Sequence, residues 1–450
     1  MNAQPRPTPT NYLEQFDAAV PDDKFPLVRR WIDTEPLPFL KELRDKRPIL
    51  VTPLCTLLTR FDDVTEVLNM SLVFTVALYV PKMGNGLYLM AHDDDALHYR
   101  EKSLMQGMLN RDDLPQVRAM VAHIANGLLD SAHGHMEAIN GYCRMVPATL
   151  VQDYFGLTGV DKKNLIEWSY WNQVDAFHNQ PFNLLSAEKR KEISNRQAQA
   201  SNELGKYLSG LILRRELAVK AELAEHTLLA PWYWLRMLVR KLLGAKDDTL
   251  TDDIVTRMVR TSYPRAVDFD IKRLGVNAGG LLIGAIETTS QAAAQVIEYL
   301  LNDPEWLVKA KIAAQSNDPA QFDGIVWEAL RFVPISSYLF RQTASDYTVA
   351  KDTDRATTIP SGTYVLLVTQ SAMFDPKAFE NPEQFIPERN WYHYFHFGFG
   401  IHECLGKYVG MVMIPEMVRQ IFLRPDIGAT GSIDYEGGDL PQRYDLSWSI

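Results

Sequence analysis

The spacing of hydrophobic residues predicts a chain that is mostly helical. Apolar side chains recur every three or four positions over four segments, which are residues 96–130, 136–156, 161–177 and 187–225. A very long apolar helix is expected to begin near Phe269 and to end at Asn302-Asp303-Pro304. The stretch FDGIVWEALRFVP predicts a shorter helix that Pro334 stops.

Short extended segments interrupt these helices. Residues 48–60, PILVTPLCTLLTR, are apolar and rich in β-branched side chains, and YTVAK and TYVLLVTQSA have the same character. The chain has neither an internal repeat nor a stretch with the composition of a linker, so residues 1–450 are expected to form one mixed domain dominated by helices. Prolines in residues 1–15 predict a mobile tail.

Composition narrows the class of protein. A net charge of −10 without a dense Lys/Arg tract disfavours nucleic-acid binding. The three cysteines, Cys55, Cys143 and Cys404, are too few and too scattered for a disulfide framework, which favours a reducing cytoplasm. The N-terminus lacks the apolar core of a secretory signal, and no run of about 18 apolar residues predicts a transmembrane helix.

One cysteine has unusual surroundings. In FHFGFGIHECLG, Cys404 follows a glycine-rich approach and precedes a predicted helix, whose N-terminal dipole and free N–H groups favour a thiolate. Gly400 and Gly406 would allow backbone amides close to the sulfur. A lone thiolate does not suit structural zinc, which needs four ligands, but it suits the axial position of a haem iron. The alternative is an inert buried cysteine, which is the commoner situation.

Two further stretches carry polar groups in apolar surroundings. In GAIETTS, Glu287 and Thr288 interrupt the long apolar helix, and an acid beside an alcohol can relay protons into a dry cavity. The alternative is a hydroxyl that bonds back to a carbonyl and bends the helix. In WEALR, Glu328 and Arg331 lie three residues apart on one helix face and can form an ion pair, buried by apolar neighbours.

Taken in order, these stretches resemble the cytochrome P450 family. The family signature Phe-x-x-Gly-x-x-x-Cys-x-Gly is met by Phe397, Gly400, Cys404 and Gly406, after the long helix with GAIETT and the Glu-x-x-Arg pair. The resemblance extends over most of the chain. It implies a mainly α fold with small β-sheets (α+β), with haem between the long central helix and the helix that follows the cysteine.

The resemblance also assigns residues that hold the haem or the fold. His98 and Lys102 occupy the His-x-x-x-Arg positions that bind the haem propionates, although Lys offers a point charge where Arg offers a fork. Arg341 and His402 match two other propionate contacts. Further expected site residues are Phe397, Gly400, Gly406 and Ala285 beside the haem, and Arg389 as a third partner of Glu328 and Arg331.

The implied activity is that of a haem-thiolate monooxygenase. Cys404 would ligate the iron of haem b, Thr288 would hydrogen-bond dioxygen, and Glu287 would help to bring protons from solvent. Electrons would come from a separate ferredoxin or flavodoxin type of partner. A positive docking face could be formed by Lys407, Arg100, Arg111 and Arg118. Equally, these four cations could be ordinary solvated helix residues.

Two other functions stay open. A peroxide-driven enzyme, either a peroxygenase or a catalyst of peroxide rearrangement, would keep Cys404 but commonly lacks the acid–alcohol pair, and a non-catalytic haem sensor would not need that pair. The substrate is expected to be a small-to-medium, largely apolar molecule with one or two polar groups. By family analogy its pocket is lined by residues 74–90, 168–182, 277–283 and 335–339.

One segment has no counterpart in compact members of the family. Residues 226–248 alternate aromatic and leucine side chains with Arg236, Arg240 and Lys241, which predicts an inserted basic amphipathic segment. Such a segment could contact a membrane surface or a partner. Packing on the body of the protein with its arginines outward is the interpretation we favour.

Overall fold

The computed structural model describes residues 11–83, 88–93, 95–228, 250–262 and 267–450. Its α-helices, numbered here in chain order, are α1 Tyr12–Ala18, α2 Pro21–Thr34, α3 Pro36–Lys46, α4 Phe61–Asn69, α5 Ala96–Met108, α6 Leu114–Ser131, α7 Met145–Asp153, α8 Lys162–His178, α9 Ala187–Leu228, α10 Ile254–Thr261, α11 Ile271–Ala285, α12 Glu287–Asn302, α13 Pro304–Ala314, α14 Ala320–Phe332, α15 Thr369–Ala372 and α16 Lys407–Phe422. Helices therefore dominate, as the hydrophobic spacing predicts.

The strands are short and form small sheets. They are β1 Ile49–Val51, β2 Cys55–Leu58, β3 Phe74–Thr75, β4 His135–Glu137, β5 Leu339–Thr343, β6 Tyr347–Val349, β7 Thr357–Ile359, β8 Tyr364–Leu367, β9 Gly428–Ala429 and β10 Asp445–Ser447. The five-stranded sheet has the order β1-β2-β8-β5-β3, in which β2 and β8 run parallel and the other pairs are antiparallel. A three-stranded sheet, β4-β10-β9, joins the middle of the chain to its last residues.

The helices pack around one large apolar core. Helix α16 packs against α6, α12 and α14, while α8 and α9 pack on each other and on α11. The facing side chains are almost all apolar and fully buried, as in Val121, Leu129, Ile297, Val418 and Ile421. A second cluster beneath the five-stranded sheet joins α2 and α3 to β2 and β8. This arrangement leaves α11–α12 facing the residues just before α16, which is where the chemistry of the sequence is concentrated.

The long apolar helix expected before Pro304 is interrupted. Helix α11 ends at Ala285 and α12 begins at Glu287, with Ile286 between them at φ −89° and ψ −66°. The hydroxyl of Thr288 donates to the carbonyl of Gly284 at 2.7 Å. Such a bond competes with the backbone hydrogen bonds of the helix and bends the helix. The bending that the sequence left as an alternative for this stretch is therefore present.

Most other element predictions are confirmed, with local differences. Residues 48–60 form β1 and β2, and YTVAK and TYVLLVTQSA contain β6 and β8. The helical prediction for 136–156 is wrong at its start, because β4 pairs with β10 there and a π-helical turn, Ile139–Cys143, precedes α7. The partner strand is about 300 residues away, so local spacing carries no sign of it.

Two predicted segments fall largely beyond the described residues. Of the expected tail, residues 1–10 lie outside them, whereas residues 12–15 belong to α1. The amphipathic segment 226–248 lies outside them from residue 229 onward. Within the portions of the chain that the structure does describe, none of the helices combines the length and the apolar character needed to cross a bilayer.

Candidate active site

A cavity of about 1780 Å³ lies between α11–α12 and the loop that carries Cys404. Helices α8 and α9 cover it, and residues 335–341 close one side. Each of the four regions expected to form a pocket contributes to the wall, for example Tyr88, Gln173, Ile283 and Tyr338. The cavity therefore brings distant parts of the sequence together around the cysteine.

The loop that presents Cys404 is a tight turn held by its own backbone. The N–H of Cys404 donates to the carbonyl of Phe397 at 2.7 Å, and the N–H of Glu403 donates to that of Gly400 at 3.0 Å. Gly400 has φ +69°, which favours glycine. A Cβ there would lie 3.1 Å from the carbonyl oxygen of Leu68. Gly400 thus permits the turn and its approach to α4, and it does not line the cavity.

Cys404 stands at the N-terminus of α16 and faces the cavity. Its side chain is exposed to the cavity, which it lines together with Leu405 and Gly406. Burial away from bulk solvent raises the pKa of the thiol, while the N–H of Gly406 and the charge of Lys102 oppose that rise. Within the described residues no cluster of His, Cys, Asp and Glu could hold a metal ion. Cys404 is therefore a lone sulfur ligand in the described part of the chain, and a lone sulfur ligand is what the axial position of a haem iron needs.

Phe397 fixes the loop against the helix that follows it. Its ring lies so close to Gly410 of α16 that a Cβ there would come within 2.8 Å of it. The indole of Trp327 approaches the same ring edge to face, with 5.7 Å between centroids. Phe397 also lines the cavity, so one side chain both positions the Cys404 loop and forms part of the apolar wall.

His98 and Lys102, on α5, hold the same loop from outside the cavity. The ring of His98 lies 2.8 Å from the carbonyl oxygen of Leu89 through Nδ1 and 3.0 Å from that of Ile401 through Nε2. Lys102 Nζ donates to the carbonyls of Ile401 and Glu403, the latter at 2.8 Å. Neither side chain lines the cavity. Their contact with a haem propionate stays a prediction, and the contacts described here position the cysteine.

Arg341 and His402 are the buried basic groups that do line the cavity. Arg341, on β5, is 5% exposed, and within the described chain its guanidinium donates one hydrogen bond, to Phe340 O at 2.8 Å. Both ring nitrogens of His402 lack a hydrogen bond among the same residues, although Nε2 lies 3.5 Å from a carboxylate oxygen of Asp93. Buried donors without acceptors are rare. They fit a cofactor with acidic groups at one edge, and haem has such groups.

The wall opposite Cys404 is formed where α11 meets α12. Gly284 is exposed to the cavity, and a Cβ there would have no heavy atom within 4 Å. Ala285 and Thr288 line the same wall. Small side chains leave room beside the helix for a flat group, and the Thr288 hydroxyl borders that room. The residues present therefore fit haem between this wall and Cys404.

Glu287 points away from the cavity. It is 2% exposed, and both carboxylate oxygens accept from Nε of Arg144, at 3.0 and 3.1 Å. Burial raises its pKa, and the nearby Arg144 charge and hydrogen bond only partly offset that rise. Arg144 continues to the exposed Asn140 at 2.8 Å and to the carbonyl of Pro441 at 3.1 Å. A polar route thus leads from the surface to the residue beside Thr288.

Glu328, Arg331 and Arg389 meet in a second buried cluster, behind the Cys404 loop. Arg331 donates to both carboxylate oxygens of Glu328, at 2.7 and 3.0 Å, and Arg389 Nε donates to one of them at 3.0 Å. Tyr394 OH and the N–H of Ile386 complete the shell at 2.7 and 2.9 Å. These residues join α14 to the long segment that leads to Cys404, so the cluster is a structural clamp rather than part of the cavity.

Sequence reasoning missed several of these side chains. Arg144 lies 143 positions from Glu287 and sits in an unremarkable stretch of the chain. Tyr88 packs its ring on Gly280, where a Cβ would come within 2.3 Å of the ring, and it lines the cavity. In the sequence, only the small residues before Gly284 indicate that a ring could pack on this part of the helix. A single sequence does not identify Tyr88 as the residue that supplies the ring.

The four cations expected at a docking face are engaged within the protein. Lys407 pairs with Glu403 at 2.6 Å, Arg118 with Asp323 at 2.5 Å, and Arg100 with Asp268 at 2.9 Å. Arg111 lies over the ring of Tyr408, 3.7 Å from its centroid. The charges of Lys407, Arg118 and Arg100 are therefore partly compensated while that of Arg111 is not, and an acidic partner would meet a weaker field than the sequence implies.

Comparison with known proteins agrees with this geometry. The family described as "Cytochrome P450" matches residues 142–424, more than half of the chain. Cytochrome P450 107B1 of Saccharopolyspora erythraea is 25% identical over 362 residues, covering 79% of this chain and 74% of the relative. The fold is similar to that of the versatile cytochrome P450 enzyme CYP109B1 from Bacillus subtilis, with a TM-score of 0.71 at 17% identity over 92% of this chain and 99% of the other.

A second relative is much longer. A bifunctional dioxygenase (DOX)-epoxy alcohol synthase (EAS) of Pyricularia oryzae is 26% identical over 365 residues, which are 76% of this chain and 30% of the relative. The chain thus corresponds to less than a third of that protein. From the family match, the fold and the single cysteine that lines its cavity, we conclude that the chain belongs to the cytochrome P450 family.

Proposed function

We propose that the protein uses haem b and electrons from a separate ferredoxin or flavodoxin type of partner to oxygenate a small-to-medium, largely apolar substrate. The observation that carries the proposal is the placement of Cys404 and Thr288 on the walls of one cavity, with a buried acid directly behind the hydroxyl. The relatives named as monooxygenases support the same reaction class. One of them is PikC of Streptomyces venezuelae, 25% identical over 358 residues.

One group of residues would hold the cofactor, and another would transfer protons. Cys404 would ligate the iron, and Arg341 and His402 would bind the acidic edge of the haem. Haem bound through a thiolate supplies the activation of dioxygen for insertion of one oxygen atom into a C–H or C=C bond. Among the lining residues, Gly284, Ile283 and Leu281 provide an apolar wall that excludes water.

Thr288 and Glu287 would supply the protons. The Thr288 hydroxyl donates its one hydrogen to Gly284 O at 2.7 Å, so its oxygen keeps lone pairs free to accept a hydrogen bond in the cavity, and it passes a proton on only after the O–H turns away from Gly284 O. Because burial raises the pKa of Glu287, this carboxyl takes up and releases a proton closer to neutral pH than an ordinary glutamate does. Arg144 and Asn140 connect it to the surface.

Replacing the hydroxyl tests the proton route. The Thr288→Ala variant should still bind haem and still consume electrons from reduced ferredoxin, but product should fall at least about tenfold relative to electrons consumed. Thr149→Ala is the matched control, because Thr149 makes the same type of bond, to Met145 O at 2.7 Å, but lies outside the cavity lining. Equal coupling of electrons to product in both variants would contradict the proposal.

A second candidate function is the rearrangement of an organic hydroperoxide. The observation that favours it is that two relatives carry the name epoxy alcohol synthase, at 26% and 27% identity. An epoxy alcohol forms when the O–O bond of an unsaturated hydroperoxide breaks, the oxygen that stays on carbon closes onto the neighbouring double bond as an epoxide, and the released hydroxyl adds to the carbon freed by that closure; because this is an isomerisation, it needs no external electrons. The compensated cations around Lys407 and Arg118 also suit a protein without an electron donor.

One assay separates the two candidates. The purified holoprotein is offered a purified unsaturated fatty-acid hydroperoxide without reductant, and in parallel an apolar compound that shifts its Soret band, with reduced ferredoxin and dioxygen. Product from the second mixture alone supports the monooxygenase. Product from the hydroperoxide alone overturns it in favour of rearrangement. A histidine-type spectrum of the reduced carbon monoxide complex would contradict both, because both need the thiolate of Cys404.

A further inference from the structure

Three aromatic side chains lead from the cavity wall toward the surface behind the Cys404 loop. Trp327, on α14, is 5% exposed and lines the cavity. Its indole meets that of Trp391 edge to face, with 5.1 Å between ring centroids, and Trp391 lies 5.7 Å from the ring of Tyr394. Both separations are those of packed aromatic pairs. Because Trp391 is partly exposed, this aromatic row joins the cavity to solvent.

His396 fixes the spacing within the row. Its Nε2 lies 2.9 Å from the carbonyl oxygen of Trp327, and its ring stacks on that of Tyr394, with 4.7 Å between centroids and 20° between planes. Burial lowers the pKa of His396 to about 4, so the imidazole is neutral near pH 7. A neutral ring at this place adds no positive charge that would oppose the removal of an electron from its neighbours.

Tyr394 has a proton acceptor in contact with its hydroxyl. Tyr394 OH donates to a carboxylate oxygen of Glu328 at 2.7 Å. Burial, and then the charge of Glu328, raise the pKa of the phenol, which keeps it protonated at rest. A phenol that loses an electron becomes a strong acid and loses this proton too. The hydrogen bond gives the proton a path to Glu328 and back, which is what reversible oxidation of a buried tyrosine needs.

The cavity also contains side chains that an oxidant would damage. Met373 and Met413 line it together with Cys404. Oxidants convert methionine to its sulfoxide and a thiolate to sulfenic and higher acids. Indoles and phenols also lose electrons readily, and electron transfer between rings in contact is fast because its rate falls steeply with distance. Electrons drawn from the aromatic row would therefore spare these sulfurs.

We propose that Trp327, Trp391 and Tyr394 supply electrons to the haem site when hydrogen peroxide oxidises the holoprotein in the absence of substrate. An electron leaves Trp327 for the oxidised cofactor, Trp391 replaces it, and Tyr394 replaces that of Trp391 while the phenolic proton shifts to Glu328. A reductant in solution such as ascorbate returns the electron at Trp391, and the proton moves back. Reduction of one peroxide to water takes two such electrons and two protons from solvent.

This role is separate from the delivery of electrons by a ferredoxin. Indoles and phenols give up electrons only to strong oxidants, so the aromatic row passes none to ferric haem in the resting protein. The proposal goes beyond the proposed function and is the same for either candidate reaction. It requires bound haem and peroxide but neither substrate nor ferredoxin.

The test is to treat the ferric holoprotein with hydrogen peroxide, without substrate or reductant, and to freeze samples for electron paramagnetic resonance. We expect an organic radical that ring-deuterated tyrosine identifies as tyrosyl. Tyr394→Phe should replace it with a tryptophan-type signal. Trp327→Phe and Trp391→Phe should each lose most of the tyrosyl signal, and their Soret bands should bleach several-fold faster.

Peptide mass spectrometry of the same samples gives a second measurement. Sulfoxide at Met373 and Met413 should increase in Trp327→Phe and Trp391→Phe, because the cavity then has fewer electrons to draw on. Trp391 lies outside the cavity lining, so its variant remains informative if Trp327→Phe loads haem poorly.

Two matched controls separate the row from aromatic residues in general. Trp168 is 5% exposed, like Trp327, but lies outside the cavity lining. Tyr154 is a buried phenol whose hydroxyl donates to a carboxylate oxygen of Asp113 at 2.9 Å, as Tyr394 does to Glu328. Trp168→Phe and Tyr154→Phe should behave as the unsubstituted protein does. The proposal is overturned if that protein forms no organic radical, or if Trp391→Phe and Trp168→Phe give equal radical yield and equal methionine oxidation.

Discussion

Two glutamates of this protein are buried beside arginines, yet their surroundings give them opposite properties. Glu328 and its partner Arg331 are each 0% exposed, and Glu287 and its partner Arg144 are 2% and 4% exposed. Burial by itself raises the pKa of both carboxyls. The net pKa nevertheless lies below the ordinary value for Glu328 and above it for Glu287.

The number of donors explains the difference. Glu328 accepts from Arg331, Arg389, Tyr394 and the backbone N–H of Ile386, and these hydrogen bonds outweigh the loss of solvent. Its charge is therefore fixed. Arg389 also donates to backbone carbonyls of its own segment, so its bond to Glu328 ties that segment, which leads to Cys404, to α14.

Glu287 has one donor group instead. Nε of Arg144 lies between its two oxygens, while the remaining N–H groups of Arg144 bond Asn140 and Pro441. Because a single donor does not replace the lost water, the neutral form of Glu287 stays accessible. The comparison teaches that a buried carboxyl keeps its charge, as in the Glu328 clamp, when its oxygens are saturated with donors, and stays able to bind a proton when they are not.

The largest expected effect comes from removing the charge of Glu328. Glu328→Gln should lower the free energy of unfolding by about 3–5 kcal/mol, because Arg331 is left buried without its counter-ion. Urea unfolding at pH 7.5, followed by far-UV circular dichroism, measures the loss. A loss below about 1 kcal/mol would mean that the cluster is not the clamp described here.

Removing the arginine of the other pair should cost less. Arg144→Met deprives Glu287 of its donor, but the carboxyl can bind a proton, so we expect a loss of about 1–3 kcal/mol in the same measurement. It should also raise the pKa of Glu287 further, since the offsetting charge is gone. A loss equal to that of Glu328→Gln would show that both pairs are clamps.

The dependence on pH should have opposite signs at the two sites. The folded-state pKa of Glu287 is above 4.5, so its contribution to stability is present below pH 4.5 and is lost as pH rises through the folded pKa. The folded-state pKa of Glu328 is below 4.5, so its contribution is present above pH 4.5 and is lost as pH falls through the folded pKa.

Gln variants make these signs measurable. Relative to the unsubstituted protein, Glu287→Gln should gain unfolding free energy as pH rises above 4.5, by about 1.4 kcal/mol for each unit of pKa shift. The deficit of Glu328→Gln should shrink as pH falls below 4.5. Unfolding curves measured from about pH 3.5 to about pH 8, on both sides of the ordinary Glu pKa, provide the check, and parallel curves for all three proteins would refute the assignment of opposite shifts.

The smallest effect is expected at a surface pair. Glu305 and Lys309, on α13, lie 2.6 Å apart with side chains 71% and 49% exposed. Glu305→Gln should change the unfolding free energy by less than about 0.5 kcal/mol, because water competes for both groups. The same urea experiment measures it, and a loss as large as that of Arg144→Met would show that burial is not what separates these sites.

The features of the site that could be predicted from the sequence are those whose residues lie close together in the chain. The Phe397–Gly406 signature, the i and i+3 spacing of Glu328 and Arg331, and the polar pair Glu287–Thr288 are each contained within a few residues. The periodicity of apolar positions likewise predicted most helices. These features depend only on residues a few positions away in the sequence, so the sequence alone is enough to predict them.

The remaining features depend on contacts across the fold. The partner of Glu287 lies 143 residues away, and the carbonyl that crowds Gly400 belongs to Leu68, on α4. Strand β4 exists because β10 pairs with it. The unpaired ring nitrogens of His402 can be recognised only once the elements around them are in place. No spacing along a single chain encodes such distances.

The partners of Arg144 also impose an order on synthesis. Two of its hydrogen-bond acceptors, Pro441 O and Gln442 Oε1, follow it by 297 and 298 residues. During translation Arg144 and Glu287 are therefore both synthesised well before those acceptors exist. In a nascent chain arrested before residue 441, the surroundings of Arg144 should stay open to water. Chaperone binding or protease cleavage near α7 should therefore persist until residues 441 and 442 are added.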